Sequence, residues 1–408
     1  MNIPTDITEL WESLAIAPGG KIVYVVLDGV GGLPDKQRGG TELQVANTPN
    51  LDRLAKKSSC GLLEIVAPGV TPGSGPGHLT LFGYHPLKYR LGRGVLSALG
   101  IDFDLKQGDV AARANFATMD ESGKISDRRA GRISTELNQR LCQKIRDKIK
   151  LDFEGKFFFE TVSEHRAVLV LRGKDLGGNL PDSDPQHTGV PPLQLQANSE
   201  GSEKTAKLVN SFIEQAKQIL ADELPANMIL LRGFEKYRLL PSLRDRFKLK
   251  GVCIADYPMY RGVSRLLGMT VLPHPGSLEK RFETLSNCYG DDYDFYFIHV
   301  KKTDSYGEDA NFDHKVQLIE ELDRLIPQVT ALDPDVLVVT ADHSTPATMG
   351  RHSWHPVPVM LRADTAKVDP VSCFDEYACI RGSLGTRPGI HLMGLALANA
   401  GRLKKFGA

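Results

Sequence analysis

The chain has 408 residues, 41% apolar and 25% charged, with 50 Lys+Arg against 50 Asp+Glu and a formal net charge of zero. That balance argues against nucleic acid or a membrane surface as partner, and leaves room for a local basic pocket that takes a small anion. The length exceeds one small core and points to two domains, or one α/β domain carrying an insertion.

The first twenty residues carry Asp6, Glu9 and Glu12 and no apolar stretch of the signal-peptide kind. No apolar run approaches membrane-spanning length, so a cytosolic protein is expected. The cysteines (Cys60, Cys142, Cys253, Cys288, Cys373 and Cys379) form no Cys-x-x-Cys pair and read as free, mostly buried thiols of a reducing compartment.

Residues 21–27 are a continuous apolar, β-branched run and predict a strand buried on both faces. It runs out into Asp28-Gly29, and acidic residues at the carboxyl ends of parallel strands are where α/β sheets place their sites. Thr48 reads as the N-cap of a short helix with Pro49 in its first turn. Next comes Thr71-Pro72-Gly73-Ser74-Gly75-Pro76-Gly77-His78, a hydroxyl among glycines, with a helix predicted from about Gly77. Backbone N–H groups at a helix start favour a phosphate. The segment has neither the Gly-Lys-Ser/Thr ending of a P-loop nor the Gly-x-Ser-x-Gly spacing of a nucleophile elbow.

From about 108 the character changes to alternating strands and polar loops, at 109–118, 157–159 and 167–171. A Pro- and Asp-rich loop spans 182–194 and an amphipathic helix 202–222. Residues 107–225 therefore read as an inserted α+β domain between core segments 1–106 and 226–408. Strands are then expected at 228–231, 251–255, 270–272 and 295–300. A helix near 314–330 places Leu318, Leu322, Leu325 and Val329 on one face. A last clear strand, 335–340, delivers Asp342-His343-Ser344-Thr345.

Asp28, Ser74, the Lys302-Thr303-Asp304 stretch and Asp342-His343 thus all lie just past strand ends, with His352 ten residues after Asp342. Carboxylates suit hard divalent ions, and Mn or Zn also accepts imidazole. Singly, each has a plainer reading: a turn at Asp28-Gly29, a loop residue at Ser74, a helix cap at Asp342. Together, at the ends of strands of one sheet, they suggest a metal-assisted phosphoryl transferase with a serine nucleophile. Arg128, Arg129 and Arg132, and Glu164-His165-Arg166, add forks suited to phosphate or carboxylate, or else a solvated turn.

The chain resembles the archaeal-type cofactor-independent phosphoglycerate mutases of the alkaline phosphatase superfamily. The resemblance runs over nearly its whole length. It is carried by Leu27-Asp28-Gly29, Asn47-Thr48-Pro49-Asn50-Leu51-Asp52, Pro72-Gly73-Ser74, Asn115-Phe116-Ala117-Thr118, Asp127-Arg128-Arg129-Ala130-Gly131-Arg132, Ser163-Glu164-His165-Arg166 and Thr340-Ala341-Asp342-His343-Ser344-Thr345-Pro346. It implies an alkaline phosphatase-like three-layer α/β core with a mostly parallel sheet and an inserted α+β cap. It implies 3-phosphoglycerate and 2-phosphoglycerate as substrates, a phosphoserine at Ser74, and no bisphosphoglycerate cofactor. Two divalent metal ions are implied, Mn or Mg, with Co or Zn as alternatives. One is held by Asp28, Ser74, Asp342 and His343, the other by Asp304, the residue four positions on and His352. Substrate-binding roles fall on Arg128, Arg129, Arg132, His165, Arg166 and Asp184, and on Arg261 where a lysine is usual.

Three positions depart from the family pattern. Glu308 stands for a metal-binding histidine, Gly75 for an acidic residue, and Gln186 displaces His187 by one. A phosphatase or mutase of another phosphorylated metabolite, or a non-catalytic phosphometabolite-binding relative, are the alternatives.

Overall fold

The structure is a computed structural model that describes residues 6–89 and 91–407. It has two compact units, Met1–Arg90 with Pro241–Ala408, and Leu91–Leu240.

The larger unit is built on eight strands: β1 (Ile22–Leu27), β2 (Ser59–Glu64), β8 (Gly251–Ile254), β9 (Thr270–Val271), β10 (Phe295–Val300), β11 (Val336–Thr340), β12 (Val357–Arg362) and β13 (Gly385–Pro388). Their order is β13-β2-β12-β11-β1-β10-β8-β9, and β12 alone runs against the others. The central strands β1, β10 and β11 are buried at every position, which is why they read as unbroken apolar runs. Leu27 pairs with Val300, and Val26 with Thr340. Neighbouring strands lie about 4.8 Å apart. The chain segments that follow these three strands therefore leave one edge of the sheet side by side.

Two local readings change. Thr48 caps nothing with its side chain; the carboxylate of Asp323 instead accepts from Asn50 N at 3.0 Å and Leu51 N at 2.7 Å. A carboxylate reaching the first N–H groups of a helix from far along the chain does an N-cap's work, invisibly to local spacing. The helix expected over 314–330 is two, Phe312–Asp323 and Ile326–Thr330, divided near Pro327, whose missing N–H favours a new helix start.

The smaller unit is an antiparallel sheet: β3 (Val110–Met119), β4 (Ile125–Asp127), β5 (Gly155–Ser163), β6 (Arg166–Gly173) and β7 (Met228–Lys236). Val110, Ala112, Ala114 and Phe116 alternate along one face of β3. They pack with Leu169, Leu171, Phe159, Ile229 and Leu231 against Leu141 and Ile145 of the helix Thr135–Lys148 and Val209 and Phe212 of the helix Glu203–Ile219. The unit is wider than residues 107–225. Strand 228–231, read from sequence as a core strand, is the start of β7 and pairs with β3, and the helix Arg93–Gly100 packs on the same sheet. A short apolar run does not reveal which sheet it joins.

Candidate functional site

Asp28 follows β1, Asp304 lies in the helix Lys302–Glu308 after β10, and Asp342-His343 follows β11. Two glycines let these segments touch. Gly29 has φ +64°, and a Cβ there would lie 2.5 Å from Thr345 Oγ1. A Cβ on Gly77 would stand 2.4 Å from the carbonyl oxygen of Asp342, so the helix Ser74–Leu81 is pressed onto the exit of β11. That helix begins at Ser74, not at Gly77, and Ser74 occupies its first turn, at the amino end.

Four groups converge. His343 Nε2 lies 3.1 Å from Ser74 Oγ, 3.1 Å from Asp28 Oδ1 and 3.3 Å from Asp342 Oδ2. Asp28, Asp342 and His343 are all 0% exposed, which leaves the carboxylates almost no water to hold their charge. Burial and the nearby Asp28 push the Asp342 carboxyl well above the carboxylate range. Burial opposes ionisation of Asp28 as well, but Lys301, His299 and His343 beside it outweigh that and hold it well below. Two sealed carboxyls so close do not both ionise without a further cation. Among the described residues, Asp28 Oδ1 and Asp342 Oδ2 accept no hydrogen bond. Oxygen donors left free in a buried pocket, with one imidazole nitrogen, fit a divalent cation.

The tautomer of His343 follows from its other nitrogen. Thr345 Oγ1 donates to Asp304 Oδ1 at 2.6 Å, since a carboxylate only accepts. The same hydroxyl lies 3.0 Å from His343 Nδ1 and has no second proton to give, so Nδ1–H donates to it. The Nε2 lone pair is thereby aimed at Ser74, Asp28 and Asp342.

A second group lies alongside. Among the described residues, two sets could each hold a metal ion: Asp28 with Asp342 and His343, and Asp304 with His343 and His352. His352 Nε2 is 3.3 Å from Asp304 Oδ1, and its Nδ1 donates to Pro72 O at 3.1 Å. The two imidazoles stack with centroids 3.7 Å apart. Burial disfavours a charge on His352, but the Asp304 carboxylate outweighs it and raises the imidazole to about 9. Glu308 is half exposed, and its Oε1 stands 3.7 Å from His352 Nε2. Because His343 turns its protonated nitrogen toward Asp304, the second group has one ligand fewer than the first, and Glu308 stands beside it.

Sequence reading missed the partners around these groups. Tyr260 OH donates to Asp28 Oδ2, His299 Nε2 lies 3.4 Å from the same oxygen, and Lys301 Nζ joins Asp28 to Asp304. His78 Nδ1 donates to Ser74 O at 2.8 Å. One signal was available: a histidine inside the otherwise apolar strand β10. Among the described residues no hydrogen bond joins Arg261 to this cluster; its guanidinium donates to Leu272 O at 2.8 Å and Ala255 O at 3.2 Å.

In the smaller unit, Asp184 grips Arg128 through two hydrogen bonds of 2.8 and 2.7 Å, and Arg232 NH1 lies 3.6 Å from Asp184 Oδ2. His165 is buried, and its imidazole is pushed down to about 3 by burial and then by Arg166, Arg113, Arg129 and Arg132. A neutral histidine ringed by guanidinium groups marks a strongly positive spot suited to an anion. Two groupings result: Arg128 and Arg232 about Asp184, and Arg113, Arg129, Arg132 and Arg166 about His165. Arg113 and Arg232 were not anticipated, because both sit in strands.

Residues 55–227 match the family model of 2,3-bisphosphoglycerate-independent phosphoglycerate mutase. Over 406 residues the chain is 50% identical to a probable 2,3-bisphosphoglycerate-independent phosphoglycerate mutase of Thermus thermophilus, covering 99% of this chain and 100% of the relative. A relative of the same name from Deinococcus radiodurans is 49% identical over 411 residues, covering 99% and 100%. Among solved structures, the PH0037 protein of Pyrococcus horikoshii matches with a TM-score of 0.82 at 27% identity, covering 96% of this chain and 100% of that one. The cofactor-independent phosphoglycerate mutase of Thermoplasma acidophilum matches with a TM-score of 0.69 at 33% identity, covering 93% and 100%.

Proposed function

The chain belongs to the 2,3-bisphosphoglycerate-independent phosphoglycerate mutase family, and from that premise we propose that it interconverts 3-phosphoglycerate and 2-phosphoglycerate through a phosphoserine at Ser74. The observation that carries the reading is the convergence of Ser74 Oγ, Asp28 Oδ1 and Asp342 Oδ2 on His343 Nε2. Asp28, Ser74, Asp342 and His343 would hold one divalent ion, and Asp304, Glu308 and His352 the other. Bound there, the ions would lower the pKa of the serine hydroxyl and neutralise charge on the phosphoryl oxygens.

Ser74 Oγ forms its bond to phosphorus as the ester bond to the glycerate oxygen breaks. The proton lost from Ser74 ends on the freed glycerate hydroxyl. The glycerate turns, its other hydroxyl takes the phosphoryl group, and the serine regains a proton. Exclusion of water during that turn separates a mutase from a phosphatase. Thr345 keeps the His343 lone pair on the Ser74 side, and the amino end of the Ser74–Leu81 helix faces the incoming anion. Rapid quench of metal-loaded protein with 3-phosphoglycerate, followed by peptide mass spectrometry, should find phosphate on Ser74. Phosphate on another residue, or on none, contradicts the route.

The arginines of the smaller unit are assigned to the carboxylate and phosphate of the substrate. Arg129→Gln, Arg132→Gln and Arg166→Gln should each raise KM about 10-fold or more, the range for losing a charge-assisted hydrogen bond of about 1.5–3 kcal/mol. They should also raise free phosphate relative to isomerised product. Unchanged KM and product ratio would place these groups outside the binding site.

Glu308 is assigned to the second ion, whose ligands are then richer in oxygen than in nitrogen, favouring Mn or Mg over Zn. Glu308→Ala should lower the bound metal from two ions to one per chain. Glu308→His should keep two and shift preference toward Zn or Co. Two ions retained by the alanine variant would remove Glu308 from the ligand set.

A further inference from the structure

Lys315, on the helix Phe312–Asp323, is 0% exposed. Its ammonium group has three donors, and three acceptors meet it. Nζ donates to Gly29 O at 3.0 Å and to Thr345 O at 2.9 Å, and lies 3.4 Å from Glu42 Oε1. Glu42 is equally buried, and the same Oε1 accepts from Ala347 N at 2.8 Å. The first two acceptors are backbone carbonyls of the segments that carry the candidate metal ligands. Gly29 directly follows Asp28, and Thr345 lies two residues after His343 and holds both Asp304 and His343 through its hydroxyl. One buried cation therefore ties the exit of β1 to the exit of β11.

A buried ion pair is weak evidence for stability, because apolar residues of similar volume often do as well or better. An apolar side chain at 315, however, would make no bond to either carbonyl. The structure assigns Lys315 as a positioning residue of the metal centre, setting the spacing of Asp28 against His343 and Asp342 by binding the backbone of both segments at once. Glu42 is its counter-ion. The assignment rests on the two-metal reading above.

The test compares wild type, Lys315→Met, and the double variant Lys315→Met/Glu42→Gln. The double variant removes both charges and keeps an acceptor for Ala347 N–H. Mn2+ affinity is measured by equilibrium dialysis, and thermal unfolding is followed without metal. Loss of an outer-shell partner typically weakens metal binding 10–100-fold. That loss is expected in both variants, with the double variant as heat-stable as wild type. If Lys315→Met does not fold, the double variant decides. A double variant that binds Mn2+ like wild type overturns the assignment and leaves the two-metal reading standing. A wild-type protein that takes up no divalent ion overturns both.

Discussion

Ser74→Ala should leave less than about 1% of the wild-type turnover, a barrier increase above about 2.7 kcal/mol, and should leave the fold intact. Ser74 opens its helix but makes no side-chain cap bond, since the N-cap is Gly73. An alanine in the first turn therefore removes no helix-capping interaction, and the lost contact with His343 costs about 1 kcal/mol. The hydroxyl is nonetheless 3.1 Å from His343 Nε2, at the point where two buried carboxylates converge. A small cost in stability with a large cost in rate is the signature of a nucleophile. Matched melting temperatures and a turnover kept above about 1% would show that phosphorus does not pass through Ser74.

Asp342→Asn should separate two effects of one carboxylate. Asp342 has its folded-state pKa raised well above the usual range, by burial first and by Asp28 next. A raised carboxyl opposes folding once pH exceeds its unfolded value of about 3.9. Stability of the metal-free protein is lost as pH rises from there toward the folded pKa, and the asparagine variant escapes that loss. Without metal, Asp342→Asn should therefore melt no lower than wild type at neutral pH, and higher if its amide is accommodated. With Mn2+ the order should reverse, because wild type gains binding energy through a ligand the variant lacks. Turnover should fall at least 100-fold. Calorimetry with and without Mn2+ reads both signs; an equal metal-induced rise in both proteins would remove Asp342 from the metal centre.

The elements carrying the chemistry were legible because they stand at the ends of strands buried on both faces. Residues 21–27 and 335–340 read as such strands, and their exits place Asp28 and Asp342 at one sheet edge. Motif resemblance supplied the roles. What stayed hidden was set by contacts between distant segments. Thr345 orients His343 through a bond no spacing predicts. Lys315 lies three residues before Leu318, on the stripe that periodicity marks as buried, so a lysine on an apolar face was the available signal. Strand 228–231 reads as a core strand from sequence, since an apolar run does not disclose its partner, but it pairs with β3. Asp323 capping the helix at Pro49 is the same lesson in a helix start.

In the proposed route the phosphoryl group passes through a metal-dependent serine and returns to the same glycerate molecule. The direct test is phosphorus NMR of the chelator-stripped protein, and of the same protein reloaded with Mn2+, given 3-phosphoglycerate with no bisphosphoglycerate. No turnover is expected in the stripped protein, and sustained formation of 2-phosphoglycerate with little free phosphate is expected after reloading. Release of inorganic phosphate in place of 2-phosphoglycerate, or turnover that survives stripping, would contradict the route.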